Sequence, residues 1–307
     1  MEYRFFKLHG TGNDFIFFDD LFHNIDFTKD QIQWLCDRHF GIGADGIILV
    51  RPTKKPDCVA FMHYINADGS LAEMCGNGVR CFAKYLMDRG LVPDDQDVFC
   101  VDTLAGTKMI ALVRDDDDRV VAATVDMGLP QLAPSSIPTT LEARAQTSEG
   151  TLFVGNEPLE SPWGSFTFNC VSIGNPHAIC FLDNLEQLPN ELFTSPEKTL
   201  ASLNLNLIGS YFCNNEVFPE QANIEFAIIG EERIDMRVYE RGVGETLACG
   251  TGACATAYAA YLIGRGNLET DVNVPGGTLH IKINKKKHTI MTGPATEVFS
   301  GIIDINE

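Results

Sequence analysis

The sequence predicts an α/β protein of two related domains, each with a mixed, largely antiparallel sheet. Three observations carry this. Short β-like runs dominate the chain, and Gly, Asn or Asp turns join many of them. Helix-like segments are few. Similar devices recur in the same order in the two halves, as a duplicated unit would place them.

The strand-like runs of the first half are "GIILV" (46–50), "AFMHYI" (60–65), "VFCVDT" (98–103), "KMIALV" (108–113) and "RVVAATVDM" (119–127). Those of the second are "SFTFNCVSI" (165–173), "AICFL" (178–182), "NIEFAII" (223–229), "RIDMRVYE" (233–240), "LHIKI" (279–283) and "HTIMT" (288–292). Thr28 and Gln31 have capping-box spacing and open a helix that runs towards His39. A second helix covers 77–88 and stops before Gly90. A third covers 251–263 ahead of Gly264 and Gly266. Residues 131–165 are rich in Pro, Ser, Thr and Glu and read as irregular.

The recurrence is specific. "GNDFIFFD" (12–19) resembles "GNPHAICFLD" (174–183), with Gly-Asn, an apolar strand and then Asp. "AEMCGNGVRC" (72–81) resembles "LACGTGACA" (247–255): a cysteine, Gly-x-Gly, then an apolar helix-like segment. Asn66 stands nine places before Cys75, and Glu240 nine places before Cys249.

Composition narrows the function. The chain has 307 residues, 45% hydrophobic and 21% charged, in the ordinary range of a globular protein. A net charge of −19 argues against a nucleic-acid partner. No apolar run reaches the roughly 18 residues that span a bilayer, so no membrane partner is expected. The opening "MEYRFFKLHG" lacks a secretory signal's layout, so a cytoplasmic location is expected. "DDDD" (115–118) reads as a turn rather than a metal site. There are ten cysteines but no C-x-x-C. Cys36, Cys58, Cys100, Cys170 and Cys180 lie in apolar patterns and read as small core residues, as do Cys81 and Cys254 on the two helices. There is no Walker-type loop, and "GTGNDF" does not meet the dinucleotide fingerprint.

Each Cys-Gly-x-Gly motif passes from a loop into a helix. A helix start offers unpaired N–H donors and a partial positive charge, an anion cradle. The same field is expected to lower a thiol's pKa. Two such motifs face to face would put a thiol on either side of one carbon while the amides hold its carboxylate. That arrangement inverts a stereocentre by proton transfer, one thiolate removing a proton and the opposite thiol supplying one, with no metal or other cofactor.

Several stretches resemble the diaminopimelate epimerase family: "KLHGTGNDF" (7–15), "GIGADG" (41–46), "NADGSLAEMCGNGVRC" (66–81), "GNPHA" (174–178), "ANIEF" (222–226) and "YERGVGETLACGTGA" (239–253). They follow family order across most of the chain. The resemblance implies cofactor-independent interconversion of LL- and meso-2,6-diaminopimelate, feeding lysine and peptidoglycan-precursor synthesis. It implies Cys75 and Cys249 as the acid/base pair, with the backbone of Gly76, Asn77, Gly250 and Thr251 cradling the reacting carboxylate. Asn13, Asn66, Asn175, Asn223 and Arg241 are implied to hold the substrate, with Arg241 as a buried guanidinium facing the distal carboxylate. His177 and Glu240 are implied to support catalysis by orienting substrate and tuning the thiols.

The implied fold is two pseudo-symmetric domains, each a mixed, mostly antiparallel sheet or barrel around a central helix. The implied boundaries are 1–127 plus 293–307 for one domain and 128–292 for the other, with the site in the cleft between them. Homodimers are common in the family. Many members carry Gln where this chain has Gly46, so that contact is not carried over, and segments 131–170 and 184–221 exceed the family core. Two other readings share the thiols: a sister racemase of proline, hydroxyproline or histidine, and a thiol redox or metal-binding protein.

Overall fold

A computed structural model describes residues 1–72 and 74–305. Glu73, within the matching stretch 66–81, and Asn306 and Glu307, at the end of the implied domain segment 293–307, lie outside the described residues. The chain folds into two compact units, Met1–Asp126 with Thr292–Glu307, and Met127–Met291. Among the described residues no helix is long and apolar enough to cross a membrane.

The first unit opens on a hairpin. Glu2–Gly10 pairs antiparallel with Asn13–Asp19, from Phe5↔Phe18 to Gly10↔Asn13. Thr11 and Gly12 take φ of 53° and 85° between them. Positive φ at both central residues matches the twist of the flanking strands. Phe15, Ile16, Phe17 and Phe18 are all fully buried because the second strand is covered on both faces. Ile16 and Phe18 join the cluster of Ile32 and Leu35 from helix α1 (Lys29–Cys36). Phe17 stacks on Tyr85 of helix α2 (Gly76–Asp88), with ring centroids 5.3 Å apart. Asn13–Asp19 runs parallel to Gly46–Arg51, which pairs antiparallel with Cys58–Asn66. After α2, Val98–Thr103 pairs parallel with Cys58–Asn66 and antiparallel with Gly106–Arg114. The strand Thr296–Asp304 closes the unit along Glu2–Gly10.

Helix α1 carries the predicted capping box, Thr28 with Gln31, but ends at Cys36 rather than near His39. Asp37 turns extended (φ −64°, ψ 125°), and the amides of Ile42 and Gly43 fold back onto Leu35 O. A Cβ at Gly41 would stand 1.9 Å from Trp34 O, so this return requires glycine there.

The second unit repeats this order. Gly164–Ser172 pairs antiparallel with Pro176–Phe181, which runs parallel to Asn223–Ile229, itself antiparallel to Arg233–Glu240. Between the second and third of these strands lies helix α3 (Leu205–Cys213), in the topological place of α1. After Arg233–Glu240 comes helix α4 (Gly250–Leu262), in the place of α2, and then Glu269–Val274 and Gly277–Ile283. α2 and α4 are buried over most of their length, as central helices must be. "DDDD" (115–118) forms the turn between Gly106–Arg114 and Val120–Gly128.

Two expectations are corrected. Helix α3 has no counterpart among the predicted helices. Within 131–165, Glu157–Ser161 is a regular edge strand along Gly164–Ser172. Among the cysteines assigned to the core, Cys36, Cys81, Cys100, Cys170, Cys180 and Cys254 are buried, whereas Cys58 is only half-buried. Cys58 starts a strand opposite Cys100, with the two sulfurs 2.9 Å apart.

Candidate active site

In the first unit Cys75 is the N-cap of α2, with extended backbone (φ −132°, ψ 125°). The first intrahelical bond is from Val79 N to Cys75 O at 2.8 Å. The amides of Gly76 and Asn77 therefore sit in the first turn, ahead of the helix's own ladder. The Cys75 thiol donates to Asn13 Oδ1 at 3.4 Å, and Asn77 Nδ2 donates to the same oxygen at 3.1 Å. Behind them Arg80, fully buried, donates to Asn77 Oδ1 at 3.0 Å and to Gly76 O at 3.2 Å. Cys75, Asn13, Gly76 and Asn77 are thus one connected group, anchored by an arginine that the sequence motifs do not single out. Asn66 lies at the end of its strand opposite Gly46 and donates to Ser70 Oγ at 3.0 Å. A Cβ at Gly46 would stand 2.6 Å from Ile65 O and 2.7 Å from Tyr64 Cε2, so no longer side chain fits without displacing the neighbouring strand.

Asn13 also donates to Asp45 Oδ2 at 2.6 Å. Beside it Asp14 is bound by Lys7 at 2.7 Å and Arg38 at 2.8 Å. Burial alone would raise the Asp14 carboxyl, but hydrogen bonds and charge from Arg38 and Lys7 hold it at about 2. Burial raises the Asp45 carboxyl, against the hydrogen bond from Asn13. A carboxyl lowered on folding stabilises the protein above its unfolded value of 3.8, and that contribution is lost as pH falls through about 2. Discounted for the half-exposed Arg38, it is about 1–2 kcal/mol. Asp14→Asn is expected to lower Tm at pH 6 and to converge on wild type near pH 2. Thermal unfolding between those pH values measures it, and parallel curves for the two proteins would refute the assignment.

In the second unit Cys249 is the N-cap of α4 (φ −121°, ψ 109°), and its sulfur accepts from Gly252 N at 3.4 Å. Thr251 Oγ1 is 3.4 Å from the same sulfur. Glu240, half-buried at the end of its strand, accepts from Thr246 Oγ1 at 2.5 Å. His177 is fully buried, with Nδ1 2.6 Å from Glu225 Oε1 and Nε2 3.0 Å from Asn175 Oδ1. Asn223 Oδ1 accepts from Arg241 N at 3.0 Å. Arg241 corrects one expectation: its side chain is exposed rather than buried, with NH1 donating to Glu220 O at 3.3 Å. The residues missed here are Glu225 and Gly252. A Cβ on Gly252 would stand 2.7 Å from Glu225 Oε1 and 3.3 Å from Cys249 Sγ.

The expected lowering of the thiol pKa is reversed at Cys249. Burial, then the nearby Glu240 and Glu225, push it well above 9.0; the Thr251 hydroxyl and the Gly252 amide act against this and lose. Burial likewise raises Glu240, against hydrogen bonds from Thr246 and Cys249. Cys249 is therefore a neutral thiol at pH 7. Its alkylation by iodoacetamide is expected to be slow at pH 7 and still rising steeply between about pH 8.5 and 10, where an ordinary thiol levels off. Peptide mass spectrometry follows it, and a plateau by pH 9 would contradict the raised pKa.

Among the described residues no group of three or more His, Cys, Asp and Glu is placed to hold a metal ion. A cavity of about 760 Å³ in the second unit, lined by Leu200, Ile228, Met236, Arg237, Val274 and Pro275 among others, includes none of the candidate site residues.

Two pseudo-symmetric units, each with a cysteine at the N-cap position of its central helix, have the racemase and epimerase type of fold. A hydroxyproline epimerase from Agrobacterium vitis shares it with a TM-score of 0.65 at 13% identity, over 98% of this chain and 92% of that one. Sequence comparison is narrower. The diaminopimelate epimerase profile matches residues 5–133 and 169–298. A diaminopimelate epimerase of Methanococcus maripaludis is 40% identical over 98% of this chain and 100% of its own. One of Synechocystis is 42% identical over 99% and 100%. The chain belongs to the diaminopimelate epimerase family.

Proposed function

We propose that the protein interconverts LL- and meso-2,6-diaminopimelate by proton transfer between two thiols, without a cofactor. The observation that supports this most is the repeated cysteine N-cap. Cys75 and Cys249 each follow the last residue of a strand by nine positions and each open a buried helix. In this reading the two sulfurs address opposite faces of one substrate carbon. The first-turn amides of Gly76 and Asn77, and of Gly250 and Thr251, grip its carboxylate and stabilise the charge that spreads onto it as the proton leaves. The raised pKa of Cys249 suits it to deliver the proton when Cys75 acts as base; in the reverse direction the Cys249 thiolate left by that transfer takes the proton back and the Cys75 thiol supplies one.

Asn66, Asn175, Asn223 and Arg241 serve the distal amino-acid group. The exposed guanidinium of Arg241, with one protein hydrogen bond among the described residues, keeps donors for a carboxylate. Glu240 faces the substrate ammonium. The reaction needs only soluble substrate, which fits a cytoplasmic location. The test is incubation of reduced, chelator-treated protein with LL-diaminopimelate in deuterium oxide. Meso product with deuterium at the α-carbon is expected; no exchange refutes the mechanism. Faster turnover of proline or hydroxyproline than of diaminopimelate refutes the substrate assignment.

A further inference from the structure

The second unit contains a buried acid to which the mechanism above gives no role. Glu225 lies mid-strand between Ile224 and Phe226 and is fully buried. A residue chosen only for packing would be apolar there, like its neighbours. Oε1 bonds His177 Nδ1 at 2.6 Å, while Oε2 has no hydrogen-bond partner among the described residues. A buried polar oxygen left unpaired costs stability, so this side chain is not explained by folding.

Its position explains more. The parallel register sets Ile179 opposite Glu225 and His177 opposite Asn223, so residues two apart on each strand share a face. Asn223, Glu225, Asn175 and His177 are thereby gathered at one end of a strand pair. The side-chain carbonyl of Asn175 can only accept, so His177 Nε2 carries the hydrogen of the 3.0 Å bond between them. With Nδ1 bound to Glu225, both ring nitrogens are committed and the ring cannot turn over. Oε1 also stands 2.7 Å from where a Cβ of Gly252 would be, so the same carboxyl borders the first turn of α4 that holds Cys249.

We propose that Glu225 is a positioning residue for this site: its hydrogen bond fixes the His177 ring and, through Nε2–H, the Asn175 carbonyl in the orientation the substrate meets. The proposal rests on the epimerase reading for its kinetic consequence but not for its geometry.

The experiment compares Glu225→Gln, which keeps a hydrogen bond to the ring, with two loss variants. Glu225→Met fills the space without a polar atom, and Glu225→Asp keeps the acid but shortens its reach, so the two do not share a route to misfolding. Thermal unfolding identifies the folded variants. Expected is a fall in kcat/KM of about 30–100-fold for Met and Asp, in line with a misplaced catalytic support, and recovery to within about fivefold of wild type for Gln. In a His177→Ala background, Glu225→Met is expected to change the rate less than about twofold, because a residue acting through His177 has nothing left to position. In substrate-free protein, ¹⁵N spectra are expected to show one ordered His177 ring in wild type and the Gln variant, and broadened or multiple signals in the loss variants. Wild-type rates in a folded loss variant, losses that multiply with His177→Ala, or ring signals unchanged in every variant overturn the proposal. If wild-type protein does not turn over diaminopimelate, the functional reading fails while the ring spectra still decide this one.

Discussion

Alanine at Cys249 is expected to lower kcat for diaminopimelate epimerisation by about 10³–10⁴-fold, equivalent to roughly 4–5.5 kcal/mol of barrier. Alanine at Cys75 is expected to do the same. KM is expected to change little in either variant, because in the proposed mechanism the helix amides rather than the thiols hold the carboxylate. The double variant is scarcely worse than either single one, since the two groups act as a unit and their losses do not add. Isotope exchange makes the test sharper. A single remaining thiol can still remove a proton from its own face and return a solvent deuteron to that face. Cys249→Ala is therefore expected to exchange the α-proton of one isomer without inverting it, and Cys75→Ala that of the other. Mass spectrometry combined with chiral separation reads both events. Exchange of both isomers in both variants would mean that one base serves both faces, and the two-thiol mechanism would fall.

Much of this is legible in the sequence because it is written locally. The capping box of Thr28 and Gln31 marks the start of α1, and Gly-x-Gly after Cys75 and Cys249 marks α2 and α4 to within a residue. The internal repeat is legible in part. It places Gly-Asn, strand and thiol in both halves, yet it does not reveal α3, even though α1 occupies the same place in the first unit. Within α3, Gly209 weakens the helical signal. In the structure a Cβ there would stand 2.5 Å from Tyr239 Cβ, so the glycine admits close packing of α3 on the strand Arg233–Glu240. The site residues that the sequence hides share a different cause. Glu225 meets His177 across 48 positions, and Arg80 reaches Thr11 across 69. A charged residue within an apolar run ordinarily reads as a solvated face, and only the third dimension shows its partner. Arg241 errs the other way: a guanidinium implied to be buried is exposed.

Arg80→Met carries the largest expected effect on stability, and it ties stability to the site. The guanidinium is fully buried, yet it sits on the first turn of α2 rather than in a surface ion pair. It donates to Gly76 O, Asn77 Oδ1, Thr11 Oγ1 at 3.4 Å and Pro294 O at 3.3 Å, all within the first unit. Methionine fills much of the volume but leaves these acceptors without their donor. Hydrogen bonds to a charged group are worth about 1.5–3 kcal/mol each, and buried acceptors left unpaired cost more than surface ones, so a loss of about 3–5 kcal/mol is expected. For a chain of this size that is a fall in Tm of roughly 10 °C. The kinetic consequence is smaller and follows the bonds outward. Asn77 loses the hydrogen bond from Arg80, so Asn13 Oδ1, which accepts from both Asn77 and the Cys75 thiol, is held less firmly. Turnover of the folded variant is then expected to fall about tenfold, the scale of a displaced catalytic group. Asn77→Ala separates the two effects, because it breaks the path to Cys75 while keeping the guanidinium on Gly76, Thr11 and Pro294. It should match Arg80→Met in turnover while keeping most of the wild-type Tm. An Arg80→Met protein with wild-type Tm would show that the buried charge contributes nothing net to the fold. Wild-type turnover in folded Arg80→Met would show that Cys75 is oriented by other groups.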